Sequence, residues 1–365
     1  MQPKNPALAH DHLLQIGGAE QVLRQLTALY PAAPLYTLVC KRGNFDFLKD
    51  SDIRTSFLQF IPGGTKLFKL FLGLMPGAWE KMDFSQHDLV ISSASAFVKG
   101  IVVPQGTIHI SYCHSPTRYL WSDSEEYVDN LGLPTPARRT LLRLLTRLRE
   151  WDRMASQRVD HYIANSEFIA QRIRHYYDRD STVIYPPVDT NQFNISDTLD
   201  PYFLIVSRLR PYKRVDLAID AFNNLKLPLV IIGGGEELRK LRSRARKNIR
   251  FLGEVSNTVR NQYLSHCRAF IHPQEEDFGI SAIEAMASGR PVIAYRAGGA
   301  RETVIENVTG VFFDDQTWES LAYAILTLKD SIFDPYAIQN HAKSYDTSVF
   351  LAKMRAFIAN LPSNS

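Results

Sequence analysis

Two glutamates, Glu276 and Glu284, stand eight positions apart in the stretch HPQEEDFGISAIEAMASG, which begins at His272. A short apolar run precedes this stretch, and within it a polar loop leads to a helical pattern that opens at the small residues Gly279 and Ser281. A helix start carries unpaired N–H groups and a partial positive charge, so it favours a bound phosphate. The spacing therefore predicts an anion-binding site flanked by two carboxylates.

These two carboxylates add a second kind of recognition. A carboxylate accepts two hydrogen bonds side by side, which suits the vicinal hydroxyl groups of a sugar or a ribose. A phosphate seat between two diol-binding groups is what a nucleotide sugar requires. From the spacing alone, an ordinary strand-to-helix crossover with two solvated glutamates explains the pattern equally well.

The same stretch resembles the E-x7-E signature of retaining family-4 glycosyltransferases, including the Phe-Gly pair between the glutamates. Four further segments resemble that family in the expected order, namely GGAE (17–20), SYCHSPTRYLW (111–121), VSRLRPYKRVDLAI (206–219) and YRAGGARETV (295–304). Together they extend over nearly the whole chain, which is a stronger signal than any single glycine pair. The resemblance implies a GT-B fold, in which two Rossmann-like domains face a central cleft that holds the active site.

Arg208 and Lys213 match the R-x4-K pair of the family. A diphosphate leaving group gains negative charge as the sugar departs, and cations aimed at it act where that charge develops. Arginine clamps phosphate oxygens, and lysine adds a point charge. The alternative is a charged surface turn, which we favour for Arg210 and Arg214 in the same loop. The predicted donor-binding residues are Gly18, Ser207, Arg208, Lys213, Val255, Phe278, Gly279, Ile280 and Glu284.

His114 ends an apolar run in SYCHSPTRYLW. A histidine at a strand end is usually structural. The family carries a histidine here that faces the donor sugar, so the resemblance implies that His114 binds the sugar in the transition state, where it can donate or accept a hydrogen bond. The predicted catalytic residues are His114, Glu276, Arg208 and Lys213.

Gly17 and Gly18 precede the helical pattern GAEQVLRQLTALY. Glycine lets a backbone approach a phosphate or an acceptor closely, although a lone pair is more often a plain turn. Upstream, the segment AHDHLLQ (9–15) is expected to contain a short, polar first strand, and His12 stands where relatives often carry tryptophan. The predicted acceptor-binding residues are Gly17, Gly18, His12 and Arg118.

Metal ligands are not evident in the sequence. The nearest approach to a D-x-D pair is Asp123 with Glu125, in a polar run that is expected to be a solvated loop. The resemblance implies that helix starts, arginine and lysine replace a metal ion, so we expect no metal and no cofactor besides the nucleotide-sugar donor. It also implies retention of the anomeric configuration, by attack from the leaving-group face.

Composition narrows the class of protein. A chain of 365 residues suits two domains of roughly 150 to 200 residues each, and a net charge of +4 gives no reason to expect nucleic acid as a partner. Cys40, Cys113 and Cys267 are too far apart for a disulfide framework, so buried thiols in a reducing cytosol are expected. Neither a signal peptide nor an apolar run of about 20 residues is present. We therefore expect a cytoplasmic protein, soluble or peripheral to the membrane.

Short apolar runs alternate with helical patterns, which predicts an α/β fold with parallel, doubly wound sheets. Strands are predicted at 88–94, 107–114, 161–166 and 182–188 in the first half and at 202–209, 227–235, 249–255, 268–273 and 291–299 in the second. Prolines, Asn and Asp cluster over 185–201, which predicts a boundary there. The predicted organisation is an acceptor domain (1–185), a linker (186–201), a nucleotide-sugar domain (202–345) and, as in the family, a helix that crosses back to the first domain (346–365).

Two stretches combine aliphatic side chains with Lys or Arg at helical spacing, TKLFKLFLGLM (65–75) and RRTLLRLLTRLREW (138–151). Amphipathic helices with their leucines in the core explain both. The alternative is a surface that docks on an anionic leaflet, which an enzyme with a polyprenyl-linked acceptor would need.

The run HSPTRYLW resembles the bacterial enzymes that transfer mannose from GDP-mannose to lipid-linked oligosaccharides for O-antigen or other exported polysaccharides. Expected partners are the nucleotide sugar, a polyprenyl-diphosphate-linked glycan, the inner-membrane surface and other polysaccharide-assembly enzymes. UDP-sugar donors stay open. A non-catalytic glycan-binding subunit should have lost Glu276, Lys213 or His114, and an epimerase or phosphorylase does not match the motifs or the chain length.

Overall fold

The computed structural model describes residues 3–63, 65, 67–329 and 333–362. The chain divides into two units, one with residues 3–186 and 350–362 and the other with residues 187–349. Each unit holds a parallel sheet with helices between its strands, as the alternation of apolar runs and helical patterns predicts. The expectation of an α/β fold with two Rossmann-like units is confirmed.

The described strands of the first unit are β1 (Pro6–His10), β2 (Leu35–Thr37), β3 (Ile53–Thr55), β4 (Leu89–Ala94), β5 (Ile108–Cys113), β6 (His161–Ala164) and β7 (Ser181–Val183). Their order in the sheet is β3-β2-β1-β4-β5-β6-β7. All residues of β4 and β5 are buried, as expected for a parallel sheet covered on both faces.

The position of the first strand corrects the sequence analysis. The strand β1 is the apolar segment PALAH, buried from Ala7 onward, so it begins and ends earlier than the polar segment 9–15 suggests. His12 therefore lies in the loop after β1. The short strands β2 and β3 were not predicted.

Helices of the first unit are α1 (Gly18–Leu29), α2 (Met75–Glu80), α3 (Ser124–Asn130), α4 (Thr135–Ser156) and α5 (Glu167–Tyr177). The final helix of the chain, Thr347–Ala359, contributes Phe350, Met354 and Ile358 to the buried core of this unit. This helix belongs to the first unit from residue 350 onward, whereas the predicted crossing helix begins at residue 346.

The second unit contains β8 (Phe203–Val206), β9 (Leu229–Ile232), β10 (Ile249–Gly253), β11 (Phe270–His272), β12 (Val292–Tyr295) and β13 (Gly310–Phe313). The sheet order is β10-β9-β8-β11-β12-β13, so β8 and β11 are neighbours at its centre. The helices are α6 (Val215–Leu225), α7 (Leu238–Arg244), α8 (Asn257–His266), α9 (Ile280–Ala287), α10 (Ala300–Thr303), α11 (Trp318–Lys329) and α12 (Pro335–Ala342), followed by α13, the final helix described above. The strand β13 was not predicted.

The segment predicted as a linker, 186–201, belongs almost entirely to the second unit. Its Phe193 is buried, and the hydroxyl of Thr190 donates to a carboxylate oxygen of Asp346 at 2.6 Å. The guanidinium of Arg290 donates to the carbonyl oxygen of Ser196 at 2.7 Å. These contacts hold the segment against other residues of the second unit.

The two basic stretches differ in structure. Residues 138–151 lie within α4, as predicted. The other stretch is not a regular helix, since Phe68–Leu74 forms a 3₁₀ segment kinked at Phe71 that leads into α2; Lys66 and the side chain of Lys69 lie outside the described residues. Within the described chain, no helix combines the length and apolar content needed to cross a membrane. The three cysteines are buried and free.

Candidate functional site

The predicted helix start lies where the spacing of Glu276 and Glu284 placed it. The strand β11 ends at His272, a loop carries Glu276, and α9 begins at Ile280 with Gly279 as its N-cap residue. Gly279 has a φ of 95°, which disfavours residues with a side chain. A Cβ atom there would also lie 3.3 Å from Cε1 of His272. The positive φ therefore favours glycine at this helix start, and the space beside His272 is tight.

The second glycine pair, in YRAGGARETV, supports the Glu276 loop. The N–H of Gly299 donates to the carbonyl oxygen of Glu276 at 2.8 Å. A Cβ atom on Gly298 would overlap that same oxygen, and one on Gly299 would lie 2.5 Å from Cα of Phe278. Glycine is needed here because the two backbones touch.

Lys213 contacts Glu276 directly, through its Nζ and Oε1 of the carboxylate. Lys213 ends a short 3₁₀ turn after β8, and both side chains are largely buried, with 12% and 15% of their surface exposed. Arg208, in the same loop, is exposed, and the hydroxyl of Ser207 donates to its carbonyl oxygen at 3.1 Å. Because β8 and β11 are neighbours, their loops meet at one sheet edge, where α/β proteins bind ligands.

The other two arginines of this loop have surface partners. Arg210 pairs with Glu236 at 3.4 Å, and Arg214 pairs with Asp216 at the same distance. This agrees with the interpretation of Arg210 and Arg214 as parts of a charged turn.

Glu284, one turn into α9, pairs with Arg260 of α8 at 3.4 Å. Burial raises the pKa of Glu284 above its usual value, and the positive charge of Arg260 opposes that rise. The sequence analysis did not single out Arg260, because α8 carries no motif of the family. The other predicted donor residues lie nearby in the chain: Val255 precedes α8, Ile280 begins α9, and Phe278 is buried against Tyr345 with ring centroids 5.6 Å apart.

In the first unit, the half-buried His114 belongs to a hydrogen-bond chain with three buried side chains. Its Nε2 lies 2.8 Å from the hydroxyl of Ser93, which lies 3.1 Å from Nδ1 of His10. Nε2 of His10 is 3.4 Å from a carboxylate oxygen of Glu20. The strands β1 and β4, the position that directly follows β5 and the start of α1 therefore contribute one residue each to this set, Glu20-His10-Ser93-His114.

The electrostatics of this hydrogen-bonded set favour a neutral His114. Burial, with a smaller contribution from the charge of His10, lowers the pKa of His114 to about 3. Burial also acts to raise the pKa of Glu20, but the hydrogen bond and charge of His10 outweigh it, so this pKa lies below its ordinary value. Glu20 is the last residue of GGAE, yet its role was not predicted, since only the fold brings β1 and β4 beside it.

The remainder of SYCHSPTRYLW is anchored to α4 by the fully buried Asp152. This carboxylate accepts hydrogen bonds from Thr117, Trp121 and Tyr177 at 3.1, 2.8 and 2.8 Å, and it also pairs with the buried Lys99. A buried carboxylate with four donors is well compensated for the loss of water. Much of the motif therefore serves to hold the His114 loop in place.

The predicted acceptor residues lie in several segments of the first unit. Gly17 precedes α1 as its N-cap and Gly18 is the first residue of that helix, two residues before Glu20. The ring of His12 packs edge-on against Phe68, with centroids 5.2 Å apart. Arg118 pairs with Asp123 at 2.7 Å. Asp123, which with Glu125 is the nearest approach to a D-x-D pair, therefore takes part in an ion pair.

Comparison with known families decides the class. A model described as Glycosyltransferase Family 4 matches residues 16–192, and one described as Glycosyl transferases group 1 matches residues 189–343. The two matches together extend over most of the chain. The chain belongs to glycosyltransferase family 4.

Named relatives of this family-4 glycosyltransferase include mannosyltransferases. It is 26% identical over 253 residues to an alpha-1,3/1,6-mannosyltransferase of Dictyostelium discoideum. This match covers 54% of this chain and 56% of that protein. It is 32% identical over 146 residues to a GDP-mannose-dependent alpha-(1-6)-phosphatidylinositol monomannoside mannosyltransferase of Mycobacterium tuberculosis, covering 35% and 38%. The chain thus spans about half the length of the first curated relatives it matches, 51% and 56%.

Solved structures agree on the fold of this glycosyltransferase. Anabaena HepE in complex with UDP and glucose has a TM-score of 0.70 at 20% identity, over 97% of this chain and 99% of that one. The predicted GT-B fold is confirmed. That the residues of the two units act together in one cleft stays a prediction.

Proposed function

We propose that this glycosyltransferase moves mannose from GDP-mannose to a lipid-linked oligosaccharide, with retention of configuration and without a metal ion, in the assembly of a bacterial surface polysaccharide. The observation that carries the proposal is the contact of Lys213 with Glu276 beside the start of α9. A cation, free helix N–H groups and a carboxylate at one sheet edge suit a diphosphate joined to a sugar.

The residues divide the work as follows. Lys213 and Arg208 neutralise the charge that develops on the departing diphosphate, and the start of α9 adds N–H donors. Glu276 accepts hydrogen bonds from hydroxyls of the transferred sugar, and Glu284, paired with Arg260, accepts them from the ribose. His114, with a pKa lowered to about 3 by burial, acts as a neutral hydrogen-bond partner of the sugar rather than as a charged acid.

Mannose is preferred as the transferred sugar because both relatives described above are mannosyltransferases, and the mycobacterial one is named as GDP-mannose-dependent. A UDP-sugar donor is the second candidate, favoured by the complex of Anabaena HepE with UDP and glucose. A non-catalytic scaffold is less suited to this chain, because Glu276, Lys213 and His114 are all present and the first two are already in contact.

Exposed basic and apolar side chains on the first unit support the proposal of a lipid-linked acceptor. Arg139, Arg143 and Arg147 are spaced by one turn along α4 and are exposed. Leu70 and Leu74 of the 3₁₀ segment are exposed, as is Leu67 directly before it. The segment lies beside α4, since a Cβ atom on Gly73 would be 3.4 Å from the side chain of Leu144. Exposed leucines beside a row of arginines match an anionic leaflet. Peripheral association with the inner membrane is part of this proposal.

Thermal-shift screening of the purified protein against GDP, UDP and ADP, each alone and as its common sugar conjugates, tests the donor. A ligand that binds only the folded protein raises the melting temperature by mass action. GDP and GDP-mannose should give the largest shifts, and mannose transfer to lipid extracts should persist in excess EDTA. A larger shift with UDP-sugars selects the second candidate. Loss of transfer in EDTA that magnesium restores contradicts the metal-free mechanism.

A further inference from the structure

His272 is a buried histidine beside Glu276 to which the proposed function gives no role. It ends β11, and 1% of its surface is exposed. The amide nitrogen of Gln274, which is also buried, lies 3.3 Å from Nδ1 of the ring. An amide nitrogen only donates, so Nδ1 accepts this hydrogen bond and the ring proton lies on Nε2.

The Nε2 atom of His272 faces the Glu276 carboxylate without reaching hydrogen-bond distance. Within the described residues it has no hydrogen-bond partner, and Oε2 of Glu276 lies 4.0 Å away. Gly279 covers the ring, since a Cβ atom there would lie 3.4 Å from Nε2. A buried N–H group without an acceptor is unfavourable, so a small movement of Glu276 toward it would be stabilising.

The charge state of His272 suits a hydrogen-bond donor. Burial, together with the positive charge of Lys213, lowers the pKa of His272 to about 3. The charged groups that face the ring are Lys213 and Glu276. A neutral imidazole donates through Nε2 without adding a second positive charge beside Lys213, so it does not compete for the phosphate.

We propose that His272 is a positioning residue, whose Nε2–H donates to Oε2 of Glu276 and holds this carboxylate in the orientation that binds the sugar. The inference rests on the proposed function, because it assigns Glu276 to the sugar. Lys213 contacts Oε1 of the same carboxylate. A diphosphate attracts Lys213 and loosens that contact, whereas it has no attraction for a neutral imidazole. His272 is then the residue that keeps Glu276 in place during transfer.

Two substitutions separate this role from packing. His272→Phe keeps a ring but removes the donor, and His272→Gln restores an amide nitrogen close to the position of Nε2. We expect His272→Phe to lower kcat about tenfold or more, with KM for the donor and GDP affinity within about threefold of wild type. His272→Gln should recover most of kcat. Equal losses in both variants, or wild-type kcat in His272→Phe, would overturn the proposal.

A measurement independent of transfer keeps the inference separate from the proposed function. Nitrogen-15 NMR of the wild-type imidazoles should show His272 neutral with its proton on Nε2 between pH 5 and 8, and addition of the donor should shift this proton resonance downfield. Gln274→Leu should mix the two tautomers. A proton on Nδ1 in the wild type refutes the inference alone. Transfer that fails with every donor, while the tautomer is as expected, refutes the proposed function.

Discussion

Lys213 and Glu276 form an ion pair across the loops that follow β8 and β11. The sequence predicts that the first residue binds the diphosphate and the second the sugar, and the structure brings both into one contact. Each partner neutralises the charge of the other, so the largely buried carboxylate is not left without a cation. In the proposed function, the donor diphosphate competes with Glu276 for Lys213, and this competition sets the sign of several expected effects.

Lys213→Ala and Arg208→Ala should each weaken GDP binding about tenfold, because each removes a charge-assisted contact to phosphate. The loss should be larger at low salt than at high salt, since salt screens charge interactions. Calorimetric titration at two salt concentrations measures both effects. Arg210→Ala is the matched control, because its exposed pair with Glu236 should contribute little. Unchanged affinity in both test variants would place the diphosphate seat elsewhere.

Ser93→Ala should lower kcat about tenfold, since it removes the hydroxyl between His10 and His114 and leaves the His114 ring less constrained. GDP affinity should stay at the wild-type value, because Lys213 and Arg208 are untouched. The neighbouring Ser92 is equally buried but contacts His109 at 2.8 Å, so Ser92→Ala is the control for loss of a buried hydroxyl. An equal effect on kcat in the two variants would argue against a role in transfer for the hydrogen-bonded set that ends at His114.

Stability should fall in mild acid. Burial holds the pKa of His109, His114 and His272 at about 3, whereas in the unfolded chain a histidine has a pKa of about 6.5. Between these values the unfolded chain binds protons that the folded protein does not, so stability is complete above about pH 6.5 and is lost as the pH falls toward 3. For each of these histidines, the free energy of unfolding falls by about 1 kcal/mol between pH 6.5 and 5.5.

His109→Gln tests this sign, because it removes one of the three groups and keeps a side chain that can bond to Ser92. The drop in melting temperature from pH 7.5 to pH 5.5 should be smaller in this variant than in wild type, whatever its stability at pH 7.5. Parallel curves for the two proteins would show that His109 does not contribute to the acid sensitivity.

Motifs that lie within one loop were predictable from the sequence. The start of α9, with Gly279 before it and Glu276 and Glu284 around it, follows from local spacing alone. Arg260 and His272 were missed for another reason: their roles come from packing between α8 and α9 and beneath Gly279, which leaves no local pattern. Likewise His10, Ser93 and Glu20 become neighbours only through the parallel pairing of β1 with β4.

Charge reversal at Arg139, Arg143 and Arg147 should reduce co-sedimentation with anionic vesicles and slow transfer to long-chain lipid acceptors. Each basic side chain near such a surface contributes about 1 kcal/mol, which salt screens. Transfer to a short, water-soluble acceptor should change little. Reversal of the exposed Arg239, Lys240 and Lys247 in the second unit is the matched control. Equal losses on both acceptors would indicate that the α4 arginines support the fold instead.

The most direct test of the account is Glu276→Gln, assayed for sugar transfer and for GDP affinity in the same preparation. The substitution keeps the shape of the side chain and removes its charge, so Lys213 is freed for the phosphate. We predict a fall in kcat of about 100-fold or more, because contacts to the sugar in the transition state are lost, together with GDP binding at least as tight as in wild type. Transfer within a few-fold of wild type, or GDP binding that weakens in parallel with transfer, would contradict the assignment of Glu276 to the sugar.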